Sequence, residues 1–265
     1  MKTNIDILFL GDIVGRPGRL VVKKYLSELK DKPDFVIANI ENASHGFGLT
    51  ERNYNEILEF GVDALTSGNH IWDKKEIFDY IDRADKLVRP LNYPKNVPGV
   101  GSRIFKVGDT SIGIINLLGR VFMSPIDSPW ILLEEEIKKI QYETPIIIID
   151  FHAEATAEKI CLGYFADNLG VSAVIGTHTH VQTADEKILN NGTAYITDAG
   201  SCCAYHSVIG MGIENSIKRL ITGLPERYEI AAIEQAEING VKISININTG
   251  SAETIERIKI LYDEI

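Results

Sequence analysis

Cysteine is scarce in this chain of 265 residues, with only Cys161, Cys202 and Cys203. An odd number, two of them adjacent, makes a poor disulfide framework. Reduced thiols in a cytoplasmic protein are the simpler reading. Long apolar runs are also missing, and no stretch approaches the roughly 18 residues that span a bilayer. The N-terminus, Met1-Lys-Thr-Asn-Ile-Asp6, passes directly into a strand pattern without a secretory signature. The expectation is therefore a cytoplasmic protein with no membrane partner. Positive charge is the third shortage: 27 Lys and Arg stand against 37 Asp and Glu, a net charge of -10. Such a balance opposes nonspecific adhesion to nucleic acid, so no stable nucleic-acid complex is expected. A small phosphate ester is not excluded, because bound metal ions would reverse the local field. Repeats, low-complexity tracts and linkers are absent as well.

Hydrophobic residues make up 45% of the chain, enough for a sizeable core. The length suits one large α/β domain or two small ones, and residues 1–265 are read as a single domain. Short apolar runs predict strands over 5–11, 34–40, 62–66, 103–107, 111–116, 145–150, 171–175 and 193–197. Helical patterns fall at about 18–30, 50–60, 73–81, 130–141 and 153–168. Alternation of the two argues for a layered α/β fold with a partly parallel sheet. Further on, 228–237 and 241–247 alternate with period two around Asn239-Gly240, which predicts a hairpin. Residues 255–262 read as a third strand in preference to a short helix, and this antiparallel addition suggests a second sheet packed on the first. The Pro- and Gly-rich loop 89–102 is long enough to suggest a functional role.

All six histidines lie in short polar segments, and most of these segments directly follow an apolar run. In open α/β sheets, ligand groups gather just past the carboxyl ends of the strands. Five such ends carry Gly11-Asp12, Glu41-Asn42, Gly68-Asn69-His70, Asp150-Phe-His152 and Gly176-Thr-His178-Thr-His180. Imidazole is a common ligand for zinc, manganese and iron, and an Asn oxygen suits a hard cation. Two imidazoles at i and i+2 leave an extended strand on the same side. The candidate ligands are thus Asp12, Glu41, Asn42, Asn69, His152, His178 and His180, too many for one tetrahedral ion. Two ions sharing Glu41 and a hydroxide use all seven, and such a pair can clamp the attacking and leaving oxygens of a phosphoryl displacement. His70 is then free as proton donor or oxyanion stabiliser.

Other features receive plainer readings. The segment 11–19 lacks the Gly-Lys-Ser/Thr ending of a nucleotide loop, though Arg16 or Arg19 could face a phosphate. His45 and His206 read as loop histidines, Cys202-Cys203 as structural, and Asp198 as a group that could orient a ligand histidine or simply make a turn.

The order of the five segments resembles the calcineurin-like metallophosphoesterases, and among them the YmdB-like branch of 2′,3′-cyclic-nucleotide phosphodiesterases. Residues 11–18, 119–127, 150–159 and 176–185 are similar to stretches specific to that branch, and the similarity covers nearly the whole chain. Two family features are altered. Val14 stands where the general family has a histidine, with Asn42 filling that role, and Glu41 stands where most relatives use a bridging Asp. The resemblance implies a four-layer metallophosphoesterase-type sandwich of two mixed β-sheets flanked by helices. It implies a dinuclear site with iron or manganese foremost; mixed nitrogen and oxygen ligands also accept zinc or cobalt. One ion would take Asp12, Glu41, Asn42 and His180. The other would share Glu41 and take Asn69, His152 and His178, with His70 as the catalytic histidine. The substrate would be a small phosphodiester of the 2′,3′-cyclic type, attacked in line by a metal-bridging hydroxide, and family analogy suggests a homo-oligomer. Ser44-His45 and the stretch from Gly200 to His206 depart from the family's usual residues, and both are expected near the substrate mouth. A phosphomonoesterase or a ribonuclease on the same site, or a regulatory nucleotide-binding protein with weak turnover, are the competing readings.

Overall fold

The computed structural model describes residues 2–265. It contains two mixed sheets, one of eight strands and one of six, packed face to face. The first sheet has the order β2 (Asp12–Ile13), β12 (Ser201–Ala204), β13 (Ala236–Asn246), β1 (Asn4–Leu10), β3 (Phe35–Asn39), β4 (Ala64–Thr66) and β5 (Leu87–Val88). Strand β14 (Ala252–Tyr262) pairs with β13 off this path. The second sheet has the order β10 (Lys187–Ile188), β11 (Ala194–Ile196), β9 (Ala173–Thr177), β8 (Ile147–His152), β7 (Thr110–Leu118) and β6 (Ser102–Val107). Strands β1, β3, β4 and β5 run parallel, as do β7, β8, β9 and β11.

Strand pleating divides the side chains into three layers of core. Along β1, Ile5, Ile7 and Phe9 point into the space between the sheets, where they meet Ile112, Ile114, Ile146 and Ile148 of the second sheet. Leu8 and Leu10 point the other way, against α1 (Gly15–Glu28) and α2 (Glu51–Glu59) through Val22, Tyr25, Tyr54 and Ile57. On the far side, Ile147 and Ile149 meet α4 (Pro129–Gln141) and α5 (Thr156–Asp167) through Leu133, Ile137 and Leu162. Both faces of the parallel strands are therefore covered, which is why they read as unbroken apolar runs. Thr50 caps α2 by accepting from the Asn53 backbone N–H. No helix among the described residues is long and apolar enough to cross a membrane.

Three local expectations need correction. The helix expected over 73–81 shrinks to α3 (Ile77–Tyr80), followed by a single 3-10 turn over Ile81–Arg83. The hairpin expected around Asn239-Gly240 does not exist. Those residues lie inside β13, and 228–235 makes no strand beyond an isolated bridge from Ile230 to Met211. Glycine is needed at 240 because β13 crosses β1 so closely that a Cβ there would collide with the Phe9 carbonyl. The turn between β13 and β14 comes later, where the Asn246 side chain accepts from the backbone N–H of Asn248 and Thr249. As a result β13 and β14 extend the first sheet beside β1 rather than founding a separate one. Loop 89–102 is held by its own arginine: the Arg89 guanidinium donates to the carbonyls of Pro90, Val97, Pro98 and Gly99. None of its residues lines the site described below, so its length reflects an internal staple.

The β1–β13 crossing can be tested directly. Gly240→Ala should lower stability by about 1–3 kcal/mol, because one methyl must be forced between two hydrogen-bonded backbones. Urea unfolding measures it, and an unchanged midpoint would show that the strands tolerate a side chain there.

Candidate metal centre

The carboxyl ends of β1, β3, β4, β8 and β9 meet at one edge of the sandwich, three from the first sheet and two from the second. Each delivers polar side chains to the same place. His152 Nε2 lies 2.9 Å from Glu41 Oε1, 3.2 Å from Asn69 Oδ1 and 2.9 Å from His178 Nδ1. His180 Nε2 lies 3.2 Å from Asn42 Oδ1 and 3.9 Å from Asp12 Oδ1. The structure thus brings together all seven residues singled out from the sequence. Two triads of donor atoms result, Glu41 with His152 and His178, and Asp12 with Glu41 and His180; within each, the atoms lie within 4.8 Å of one another. Glu41 belongs to both.

The non-facing nitrogen of each imidazole is held by a protein group, which fixes the ring and leaves the facing nitrogen available. His180 donates from Nδ1 to the Ile209 carbonyl at 3.0 Å. His178 Nε2 lies 3.2 Å from Glu154 Oε2. His152 Nδ1 meets Thr177 Oγ1 at 2.9 Å, and that hydroxyl donates to Asp150 Oδ1 at 2.7 Å. Asn39 completes this support, donating to Asp150 Oδ2 at 2.8 Å and accepting the Glu41 backbone N–H at 3.1 Å.

The expected way of bringing His178 and His180 to one side was strand alternation, and the structure corrects it. Strand β9 ends at Thr177, and both histidines follow with positive φ, 98° and 65°. Such backbone is strained for a residue with a Cβ and needs a surrounding that over-determines it. Asp198 supplies that surrounding. Its Oδ2 accepts from the backbone N–H and hydroxyl of Thr179, the residue between the two histidines, at 3.1 and 2.7 Å. The same oxygen is 2.7 Å from Lys159 Nζ, and both members of the pair are almost completely buried. Asp198 therefore orients the loop that carries the histidines without touching a ring.

Asp12 has no solvent exposure, and its Oδ1 has no hydrogen-bond partner. A buried, unpartnered carboxylate oxygen is costly unless a cation or proton meets it. Burial pushes the Asp12 carboxyl up from its ordinary range, opposed by His180 and His152. Burial acts the same way on Glu41, but His152 and His70 outweigh it and hold the carboxyl at about 2. For His152, burial favours the neutral ring, yet Glu41 prevails and raises it to about 9. His178 is driven down to about 3 by burial and by neighbouring His152, so it stays neutral with a lone pair to offer. Two buried acids, three imidazoles and two amide oxygens form a donor set that fits a pair of cations sharing Glu41.

His70 stands at the rim. Its backbone N–H donates to Glu41 Oε2 at 3.0 Å, and its ring Nδ1 lies 2.8 Å from Asp73 Oδ2. Gly68, one residue before Asn69, permits this arrangement, since a Cβ there would run into both Glu41 Oε2 and the His152 ring. A cavity of about 560 Å³ opens over Glu41, Asn42, His70, His178 and His180. Neither His45 nor His206 lines it, so the departures noted at Ser44-His45 and up to His206 do not reach the mouth through these side chains. His45 instead faces a separate depression with Arg16 and Arg52, and Arg19 is committed to Glu56 at 2.7 Å. Sequence reasoning assigned no role to Asn39, Asp73, Glu154, Lys159 or Thr177. Only Asn39, a polar residue ending an apolar strand, carried a local signal.

Comparison with known proteins follows the same lines. The model of a family described as "YmdB-like protein" matches residues 8–258. A 2′,3′-cyclic-nucleotide 2′-phosphodiesterase of Bacillus subtilis (strain 168) is 50% identical over 261 residues, covering 98% of this chain and 98% of that protein. A crystal structure described as a novel phosphatase from Mycoplasma pneumoniae matches with a TM-score of 0.92 at 38% identity, covering 100% of this chain and 96% of that one. A hypothetical protein from Thermus thermophilus matches with a TM-score of 0.89 at 37% identity, covering 98% of this chain and 100% of that one.

Two measurements test the centre. Lys159→Met leaves the Asp198 carboxylate buried and unpaired, so stability should fall by about 3–5 kcal/mol. Cation affinity should weaken on the order of ten-fold or more, because the loop carrying His178 and His180 loses its anchor. Unfolding and metal titration of the variant would show neither change if the pair were incidental. The second concerns pH. His152 holds a proton up to about 9 instead of the usual 6.5, so in chelator-treated protein its pairing stabilises the fold below 6.5 and fades as pH rises through about 9. Cation uptake must displace that proton, so apparent affinity should strengthen over the same interval. Affinity that is flat or falling with pH would count against His152 as a ligand.

Proposed function

We propose, from the premise that the chain belongs to the YmdB-like family, that it is a metal-dependent phosphoric diester hydrolase acting on small cyclic nucleotides of the 2′,3′ type. The observation that carries this reading is the pair of donor triads joined through Glu41, one of them containing Asp12 with its buried, unpartnered oxygen. The resemblance of this chain to a 2′,3′-cyclic-nucleotide 2′-phosphodiesterase over nearly its full length supports the substrate class.

Asp12, Glu41, Asn42 and His180 would hold one cation; Glu41, Asn69, His152 and His178 would hold the other. Iron or manganese is the proposed pair, the donor set also accommodating zinc or cobalt. When bound, such ions would supply positive charge to the phosphate and lower the pKa of a water molecule. The remaining chemistry belongs to the protein. Asn42 and Asn69 contribute neutral oxygens, so the site keeps enough positive field to accept an anionic diester. His70 would donate a proton to the ribose oxygen that leaves, while Asp73, 2.8 Å from Nδ1, fixes the ring. The ring's place at the rim of the cavity, with its backbone tied to Glu41, sets the donor beside the metal-binding floor. Residues 1–265 act as one metallophosphoesterase domain in this reading, and the free thiols suit a cytoplasmic setting.

Glu41→Ala should lose bound metal and hydrolysis together. His70→Ala should keep its metal and lose on the order of 10²–10⁴-fold in kcat. Elemental analysis beside turnover of a cyclic nucleotide, a phosphomonoester and an RNA oligomer decides the matter. Full turnover by His70→Ala removes its assigned role, and faster cleavage of the monoester or the RNA replaces the substrate class.

A further inference from the structure

The cavity over the metal-binding floor is larger than a phosphate requires, and its far side has a different chemistry. Phe47, Met211, Leu220 and Tyr228 line it opposite the acids and imidazoles. Leu220 is 83% exposed and Tyr228 41%, so this part of the wall faces water, while Met211 is buried and Phe47 is half-buried against it. Leu220 and Arg219 come from α6 (Ile213–Thr222), a helix in which only Ser216 is buried. The aromatic rings form a connected series leading away from the rim. The His70 and Phe47 rings meet edge to face at 4.8 Å, and Phe47 and Tyr228 are 5.8 Å apart. The Arg219 guanidinium then lies over the Tyr228 ring at 4.6 Å. Among the described residues the Arg219 guanidinium has no carboxylate partner, and its only hydrogen bond is a long one of 3.5 Å to the Glu226 carbonyl.

Each part of this wall asks for the same kind of ligand. A cyclic phosphate alone would leave the aromatic faces wet. A flat, electron-rich heterocycle joined to the phosphate through a sugar would cover them, and its stacking would be indifferent to which base it was. The planar Arg219 cation holds the Tyr228 ring in place and offers a second stacking surface, in a protein of net charge -10 where an unpaired arginine at a cavity is otherwise unexplained. The volume, about 560 Å³, suits a nucleotide-sized ligand.

We infer that Phe47 and Tyr228, with Arg219 as a positioning residue, form the subsite that receives the nucleobase of the substrate and so makes the enzyme prefer nucleoside-derived cyclic diesters over base-free ones. This rests on the phosphodiesterase reading above for its phosphate end, but the wall itself is independent of the metals.

The test compares adenosine 2′,3′-cyclic phosphate with glycerol 1,2-cyclic phosphate, which has no base. In the wild type, kcat/KM should favour the nucleotide. In Tyr228→Ala and in Phe47→Leu that preference should fall on the order of ten-fold, and Tyr228→Phe should retain it. A preference unchanged in both variants overturns the subsite. Calorimetric titration with adenosine 3′-monophosphate and with ribose 3-phosphate reads the same discrimination without turnover. Tighter binding of the nucleoside phosphate, weakened in Tyr228→Ala, supports the subsite. Equal affinities in the wild type overturn it even if both diesters are cleaved. Conversely, base-dependent binding with no cleavage of either diester would end the phosphodiesterase reading and leave the aromatic wall in place.

Discussion

Glu41 is a fully folded-in carboxylate whose two oxygens face different neighbours, and much of the centre depends on how its charge is met. One oxygen pairs with the His152 ring and the other takes the His70 backbone N–H. Asp12 lies close by, equally buried, with an oxygen that nothing in the protein satisfies. Two acids held together at low dielectric repel strongly, and His152 and His180 compensate only in part. Such an arrangement persists in a folded chain because the strands beneath it are rigid and because cations are the natural complement of the excess.

That rigidity has an identifiable source. The sheets meet through a dry layer of Ile and Phe, so the carboxyl ends of five strands arrive at one edge with little freedom. Above them, the buried Lys159–Asp198 pair clamps Thr179 and with it the strained backbone of His178 and His180. On the other flank, Asp150, Thr177 and Asn39 form a chain of hydrogen bonds ending on His152 and on the Glu41 backbone. Burial raises Asp150 to about 6, against the opposing pull of His152 and of hydroxyl donors. Lys159, Asp198, Asp150, Thr177 and Asn39 do not line the cavity, yet Thr177 fixes which nitrogen His152 presents and Asp198 holds the loop that carries His178 and His180.

The cavity joins two unlike surfaces. Its floor is ionic and built from strand ends; its wall is aromatic and built from the Phe47 loop, α6 and the segment after it. A ligand bearing both a phosphate and a heterocycle satisfies both, whereas either part alone leaves half the space in water.

Much of this was legible in the chain. Every strand read from an apolar run in 5–11, 34–40, 62–66, 103–107, 111–116, 145–150, 171–175 and 193–197 overlaps an observed one, and the seven polar residues past the strand ends do converge. Both signals are local: burial on two faces demands continuous apolar residues, and charge left at the end of such a run has no packing reason to be there. Asn239-Gly240 misled because the same dipeptide serves a tight turn or a close strand crossing, and only the neighbour Phe9 tells them apart. The support of the site was invisible for a related reason. Lys159 sits in a helix like many exposed lysines until folding sets it against Asp198, 39 residues away. Phe47 and Tyr228, much farther apart in the chain, acquire meaning only as neighbours. Composition and periodicity thus determined which residues are buried and which ends carry charge, since each residue's own chemistry dictates that. Tertiary structure alone decided who faces whom, because hydrogen bonds, ion pairs and stacking act over a few ångströms of space and take no account of separation along the chain.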